Sequence, residues 1–240
     1  MDKQLFLCGG QTDALGFCTA YLKSKNYPFD ELPNAHITHL LLDVPCKNTE
    51  QLTDLLQRLP TDITVIGGNL QDTQLENYRK IDLLQDPLYL AKNAHITAHC
   101  AVKLALNKLP IIIDGCLVLI IGWGWIGKCL ASLLQKMGAD VSIAARKSGD
   151  RAMATALGYN GVDISDINKQ RPRILFNTVP TPIASVSDFD QECLMIELAS
   201  YPGIIGDNVI DGRRLPGRLA PESSGTLIAE SILRLTPGGE

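Results

Sequence analysis

The stretch CLVLIIGWGWIGKCLASLLQKMGADVSIAARK, residues 116–147, decides the fold. Its first six residues form an unbroken apolar run, as expected of a strand covered on both faces. Gly122-x-Gly124-x-x-Gly127 follows, and Leu130, Ala131, Leu133, Leu134 and Met137 then recur at helical spacing. Gly138 stops that helix, and 141–145 reads as a second short apolar strand. Strand, glycine turn, helix and strand within about thirty residues is the order of a dinucleotide-binding unit.

Each glycine has a separate physical task. Gly122 permits the tight turn, Gly124 lets the backbone approach a pyrophosphate, and Gly127 lets helix and strand pack closely. The free N–H groups and positive end of the helix then face the phosphate anion. Gly122, Gly124, Trp125, Ile126 and Gly127 are therefore the expected cofactor-binding turn. A domain that selects NAD usually has an acidic residue at the end of its second strand. Here that position reads Ala145-Arg146-Lys147-Ser148. Two cations and a hydroxyl suit a 2′-phosphate, because Arg presents a planar fork to phosphate oxygens. Arg146, Lys147 and Ser148 thus point to NADP, with NAD as the second choice.

Composition narrows the remaining classes. The chain has 240 residues, 45% hydrophobic and 20% charged, enough for one large or two small packed domains. Its 22 basic and 26 acidic residues give a net charge of −4 with no basic block, which gives nucleic-acid or membrane-surface binding no support. The apolar run near Met1 is too short for a signal peptide, and no stretch has the length of a membrane span. Seven cysteines, an odd number with no C-x-x-C pair, suit a reducing cytoplasm.

Before the glycine turn, apolar strands at 4–8, 37–44 and 63–66 alternate with helices at about 13–25 and 49–59, the first capped by Thr12 or Asp13. Two strands end in glycine pairs, Gly9-Gly10 and Gly67-Gly68, which serve equally as turns or as ligand approaches. One long helix is expected over 88–109. It carries Asn93 and Thr97 on one face, and His95 and His99 four residues apart. With no third ligand in sight, no metal site is assigned to the histidine pair. After the turn, a helix at 149–157 and strands at 173–176 and 194–199 lead into Asn177-Thr178-Val179-Pro180 and Ser200-Tyr201-Pro202-Gly203. The last helix is expected from Thr226 to Leu235, capped by Ser223 or Ser224 beside Arg218. The expected fold is α/β with two domains. A small N-terminal parallel α/β domain (1–87) is joined by a long helix (88–110) to a Rossmann doubly wound parallel sheet (111–221). A final segment (222–240) packs back on the N-terminal domain.

With these motifs assembled, the chain resembles the A subunits of bacterial dipicolinate synthase. The matching features are Asn93-x-x-x-Thr97-Ala98, the glycine turn, Ala145-Arg146 and Asn177-Thr178-x-Pro180. They continue with Leu198-Ala199-Ser200-x-Pro202-Gly203 and Leu215-Pro216-Gly217-x-x-Ala220-Pro221-x-x-x-Gly225. The resemblance covers roughly residues 88–235. It departs at His99-Cys100, where the family has Glu-Gly, at Trp125, commonly Arg, and at Gly203-Ile204, usually Gly-Gly. The resemblance implies oxidation of a dihydrodipicolinate-type heterocyclic dicarboxylate from the lysine pathway to dipicolinate, the calcium-chelating acid of spores. It also implies NAD(P) as acceptor and the flavoprotein-like B subunit of dipicolinate synthase as partner, and self-association into a homo-oligomer is expected.

The expected substrate donors are Asn93, Thr97, Asn177, Thr178, Ser200, Arg218 and Ser223, with Arg218 the best-placed cation for a carboxylate. Asn177, Thr178, Val179 and Pro180 are also expected on the cofactor. No residue stands out as general base, and His95 and His99 are the candidates. Two rival readings remain. The Asn-Thr-x-Pro loop with a basic 2′-phosphate site is similar to shikimate dehydrogenases, but the N-terminal half has no lysine–aspartate pair. The altered helix motif and Trp125 instead suit a nucleotide-binding or subunit-binding module with a decayed site.

Overall fold

In a computed structural model that describes residues 4–47, 49–71 and 73–236, the chain forms two compact units. One contains the chain up to Asn93 together with Pro216 onward, and the other is Ala94–Leu215.

The first unit is a parallel sheet of β1 (Phe6–Cys8), β2 (Phe29–Asp30), β3 (His39–Leu41), β4 (Thr64–Gly67) and β5 (Arg79–Asp82), in the order β2-β1-β3-β4-β5. Crossovers run through α1 (Asp13–Ser24) and α2 (Glu50–Leu56). Thr12 caps α1 by accepting from the Leu15 N–H, and Thr49 caps α2 in the same way through Leu52. Leu7, Leu40, Leu42, Val65, Leu52 and Leu56 close one face of the sheet as a single apolar cluster. The long helix α3 (Pro87–Leu106) is divided between the units at Asn93.

The second unit carries β6 (Leu117–Ile121), α4 (Trp125–Lys136), β7 (Asp140–Ala145), α5 (Ser148–Ala156), β8 (Asn160–Asp163) and β9 (Ile174–Asn177). These are followed by β10 (Ala184–Ser185), β11 (Leu194–Glu197), β12 (Ile204–Ile205) and β13 (Ile210–Asp211). Six of them form one parallel sheet, β13-β11-β9-β6-β7-β8, while β10 and β12 pair separately. Read from β8, that is the doubly wound Rossmann order, whose ligand crevice opens where the winding reverses, between β6 and β9. Leu119, Ile121, Ala144, Val162 and Leu175 pack under one face. The expected Rossmann sheet and the smaller parallel α/β sheet are both present.

The chain then returns to the first unit through α6 (Leu215–Leu219) and α7 (Pro221–Leu235), and α7 lies against α1. A Cβ on Gly225 would stand 2.3 Å from the Ala14 carbonyl oxygen and 2.8 Å from the Cys18 nitrogen, so only glycine permits this approach. One expectation is corrected here. Neither Ser223 nor Ser224 caps α7, which starts at Pro221 with Ala220 at the cap position and no side-chain cap bond. Proline presets a helical φ and lacks an N–H that would go unpaired, so it takes the first position.

Candidate nucleotide-binding site

The site is built from the turn between β6 and α4. Gly122 has φ +106, a conformation that glycine adopts and other residues rarely do. A Cβ there would also stand 2.3 Å from Thr178 Oγ1. Gly127 lies equally close, since its Cβ would meet the Gly122 carbonyl oxygen at 2.3 Å. Around Gly124, by contrast, a Cβ would find nothing within 4 Å. The middle glycine therefore borders open space at the helix start, while its two neighbours are packed.

Helix α4 begins with no side-chain cap bond and no acidic residue in its first turn. Its first N–H groups have no partner within the helix and carry the positive end of its dipole. The equivalent corner of the first unit is different. There the Asp43 carboxylate accepts from the Gln11 N–H at 3.3 Å, the Thr12 N–H at 3.2 Å and the Thr12 hydroxyl at 2.7 Å. The position an anion would take before α1 thus already holds a carboxylate of the chain. Asp82 likewise braces the second glycine pair, accepting from the N–H groups of Asn69, Leu70 and Leu84. The glycine pairs of the first unit are therefore loop geometry. Of these corners, the Rossmann turn presents an uncapped helix start beside an open glycine, with room for an anion.

At the carboxyl end of β7, Arg146, Lys147 and Ser148 are all exposed. Lys147 is the cap residue of α5 and makes no side-chain cap bond. Arg151 shapes this corner, although nothing in the sequence marks it. Its guanidinium donates to the Ala145 and Arg146 carbonyls at 2.8 Å and pairs with the Asp163 carboxylate at 2.8 Å. The N–H and hydroxyl of Ser165, with Arg151 beside them, hold the Asp163 carboxyl below its usual range. Arg151 is thus committed to the protein, and the two preceding cations face solvent.

The 177–180 loop borders the glycine turn. Thr178 donates to the Ile121 carbonyl through both its N–H and its hydroxyl, each at 2.9 Å, which pins it beside Gly122. Val179 is half-buried and Pro180 exposed. Asn177 departs from its expected role as a ligand donor, because it is 0% exposed. Its amide nitrogen donates to the Val179 carbonyl and to both oxygens of Glu197, and its oxygen accepts from the Val179 N–H. Its donors are all engaged and its side chain is enclosed, so Asn177 shapes the loop instead.

Of the other expected substrate residues, Ser200 is exposed at the carboxyl end of β11, and Thr97 is buried on α3. Asn93, Arg218 and Ser223 belong to the first unit, half-buried on α3, exposed on α6 and exposed on the first turn of α7. His95 and His99 are exposed on α3, their rings meeting edge to face at 4.6 Å. Among the described residues no group of three or more His, Cys, Asp or Glu is placed to hold a metal ion, and no helix is long and apolar enough to cross a membrane. Two aromatic groups flank the turn. Trp125 is 58% exposed on the first residue of α4, and Trp123 meets Tyr159 edge to face with Lys128 Nζ 5.8 Å from its ring.

An all-parallel sheet in this order, with an open glycine turn at its reversal point, defines a Rossmann fold. No family model matches the chain. It is 24% identical to the dipicolinate synthase A chain of Bacillus subtilis (strain 168), over 86% of this chain and 80% of that protein. The crystal structure of the Bacillus subtilis A chain superposes with a TM-score of 0.79 at 20% identity, covering 98% of this chain and 96% of that one. Its counterpart from Bacillus halodurans gives 0.82 at 18% identity, with 99% of each chain covered. A transhydrogenase from Sinorhizobium meliloti shares the fold at 0.73 and 12% identity, over 96% and 92% of the chains. The resemblance to dipicolinate synthase A chains, read first from a few motifs, therefore extends over nearly the whole chain.

Proposed function

We propose that this chain is a nicotinamide-nucleotide-dependent oxidoreductase that prefers NADP and converts a dihydrodipicolinate-type dicarboxylate into dipicolinate. The observation that carries the reading is the contrast between two helix starts: α1 closed by Asp43, α4 uncapped beside Gly124. The backbone of 122–127 would hold the pyrophosphate, with Thr178, Val179 and Pro180 along the same crevice. Arg146, Lys147 and Ser148 would hold the 2′-phosphate. When bound, the nicotinamide supplies a hydride acceptor, so the balance is dihydro acid plus NADP+ giving pyridine dicarboxylate, NADPH and one proton.

The chain's contribution is orientation. Because the ring gains aromaticity, fixing it in register with the nucleotide supplies much of the rate. Ser200 is the proposed donor to a ring carboxylate on the nucleotide-binding unit, with Thr97 of α3 as a second, while Thr178, whose N–H and hydroxyl both serve the Ile121 carbonyl, would line the wall beside the ring. The remaining candidates Asn93, Arg218 and Ser223 are tested by substitution in the same assay, as are His95 and His99 as proton acceptors. A partner of the dipicolinate synthase B type is proposed because the curated relative is itself the A component of that synthase. Assembly as a homo-oligomer in the cytoplasm is proposed with it.

The test is spectroscopic. Dihydrodipicolinate with NADP, with and without the B component, is expected to give NADPH and pyridine absorbance together. Turnover of shikimate in its place would favour the shikimate-dehydrogenase-like reading. Nucleotide binding with no dicarboxylate binding, favoured by the exposed Trp125, would mark a binding module.

A further inference from the structure

One buried acid stands outside everything assigned so far. Glu197, the last residue of β11, is 4% exposed. In register it lies beside Asn177, the last residue of β9. Its Oε1 accepts from Asn177 Nδ2 at 2.8 Å and the Ala199 N–H at 3.0 Å. Its Oε2 accepts from the same Nδ2 at 3.0 Å, the Gly203 N–H at 2.7 Å and the Ile204 N–H at 3.1 Å. Four separate groups thus converge on one carboxylate, all donors, and only an acceptor-only side chain satisfies them together.

The groups it gathers come from two loops. Ala199, Gly203 and Ile204 bracket the exposed Ser200-Tyr201-Pro202 segment, while Asn177 braces the loop that carries Thr178. Gly203 lets the loops approach, since a Cβ there would stand 2.4 Å from Asn177 Nδ2 and 2.6 Å from the Val179 carbonyl oxygen. We infer that Glu197 is a positioning residue: its carboxylate locks the 199–204 loop to the 177–179 loop and so fixes where Ser200 and Thr178 stand. The inference rests on the proposed dicarboxylate site and adds to it the residue that aligns its donor Ser200 with the wall formed by Thr178. The phosphate turn owes its shape to Gly122 and Gly127 and touches Glu197 only through Asn177 and Thr178, so nucleotide and dicarboxylate binding should respond differently.

The experiment uses the full chain, with NADPH binding read by tryptophan fluorescence. Binding of pyridine-2,6-dicarboxylate to the NADP-loaded protein is read by calorimetry. Glu197→Gln sets an amide NH2 against N–H donors, and Gly203→Ala lifts the same loop without changing a charge. Both variants are expected to keep NADPH affinity within about threefold and to lose dicarboxylate affinity by about tenfold or more. If the wild type binds the dicarboxylate and both variants bind it as tightly, the inference is overturned while the proposed function stands. Parallel loss of both affinities and of melting temperature overturns it as well, since that is a merely structural role. If the wild type itself binds no dicarboxylate, the site reading falls and takes the inference with it. Should neither variant fold, hydrogen exchange on the wild type decides. The Ala199 and Gly203 amides are expected to exchange more slowly still with dicarboxylate bound, and unchanged protection rules the locking role out.

Discussion

The three turn glycines are equivalent in the sequence and differ in their surroundings, so their alanine variants should separate. Gly122→Ala combines a positive φ with a clash on Thr178, and is expected to cost about 1–3 kcal/mol of stability by denaturant titration. Gly124→Ala meets open space, so stability should change by less than about 0.5 kcal/mol. Its methyl group would occupy space proposed for the pyrophosphate, and nucleotide affinity should fall about tenfold or more. Arg146→Ala is expected to weaken NADP by about tenfold and leave NAD unchanged, because only the 2′-phosphate uses a charge-assisted fork. Equal weakening of both nucleotides would remove the basis for NADP preference. The glycine turn is legible in the sequence because its logic is local, with spacing and flanking apolar runs all inside residues 116–147. Glu197 is not, because three of its donors are backbone N–H groups, which a sequence does not display. Its one outward sign is that it stands as a lone acid inside the apolar run 194–199. Asn177 lies at the expected strand end but has a different partner, since facing a ligand and facing Glu197 look alike in the chain.

Elements with a covered face announce themselves in the sequence, whereas edges do not. Strands β6, β7 and β9 follow the apolar runs closely. The edge strands β5, with the sequence RKID, and β8, with NGVD, carry no apolar alternation that would mark them. Helix α7 begins several residues before its expected start, because a proline rather than a serine cap initiates it. Its contact with α1 gives a direct test: Gly225→Ala should destabilise the protein by about 1–3 kcal/mol, since backbone rather than a flexible side chain lies in the way. The same helix is tied to the start of α3 by Arg234 and Asp86. Burial opposes ionisation of Asp86, but the Tyr89 N–H and the Arg234 guanidinium outweigh it and hold the carboxyl below its usual range. A depressed acid is stabilising while ionised, so this contribution is present above the ordinary carboxylate value and is lost as pH falls through the folded value. Arg234→Met should therefore lower stability at neutral pH by about 1 kcal/mol or less and flatten its decline in acid, as followed by thermal melts.

At the scale of the molecule, each unit has its own sheet and its own apolar cluster. Scanning calorimetry is accordingly expected to resolve two transitions, of which NADP raises one. A single transition that moves as a whole with nucleotide would contradict this. The second unit is continuous in the chain, but the first is not: α1 lies near its beginning and its partner α7 comes after the whole Rossmann sheet. During synthesis the ribosome therefore makes the whole Rossmann unit while the apolar side of α1, with Leu15, Cys18 and Leu22, is still waiting for its cover. Released chains truncated before Pro221 should still bind nucleotide yet attract chaperones through that uncovered helix.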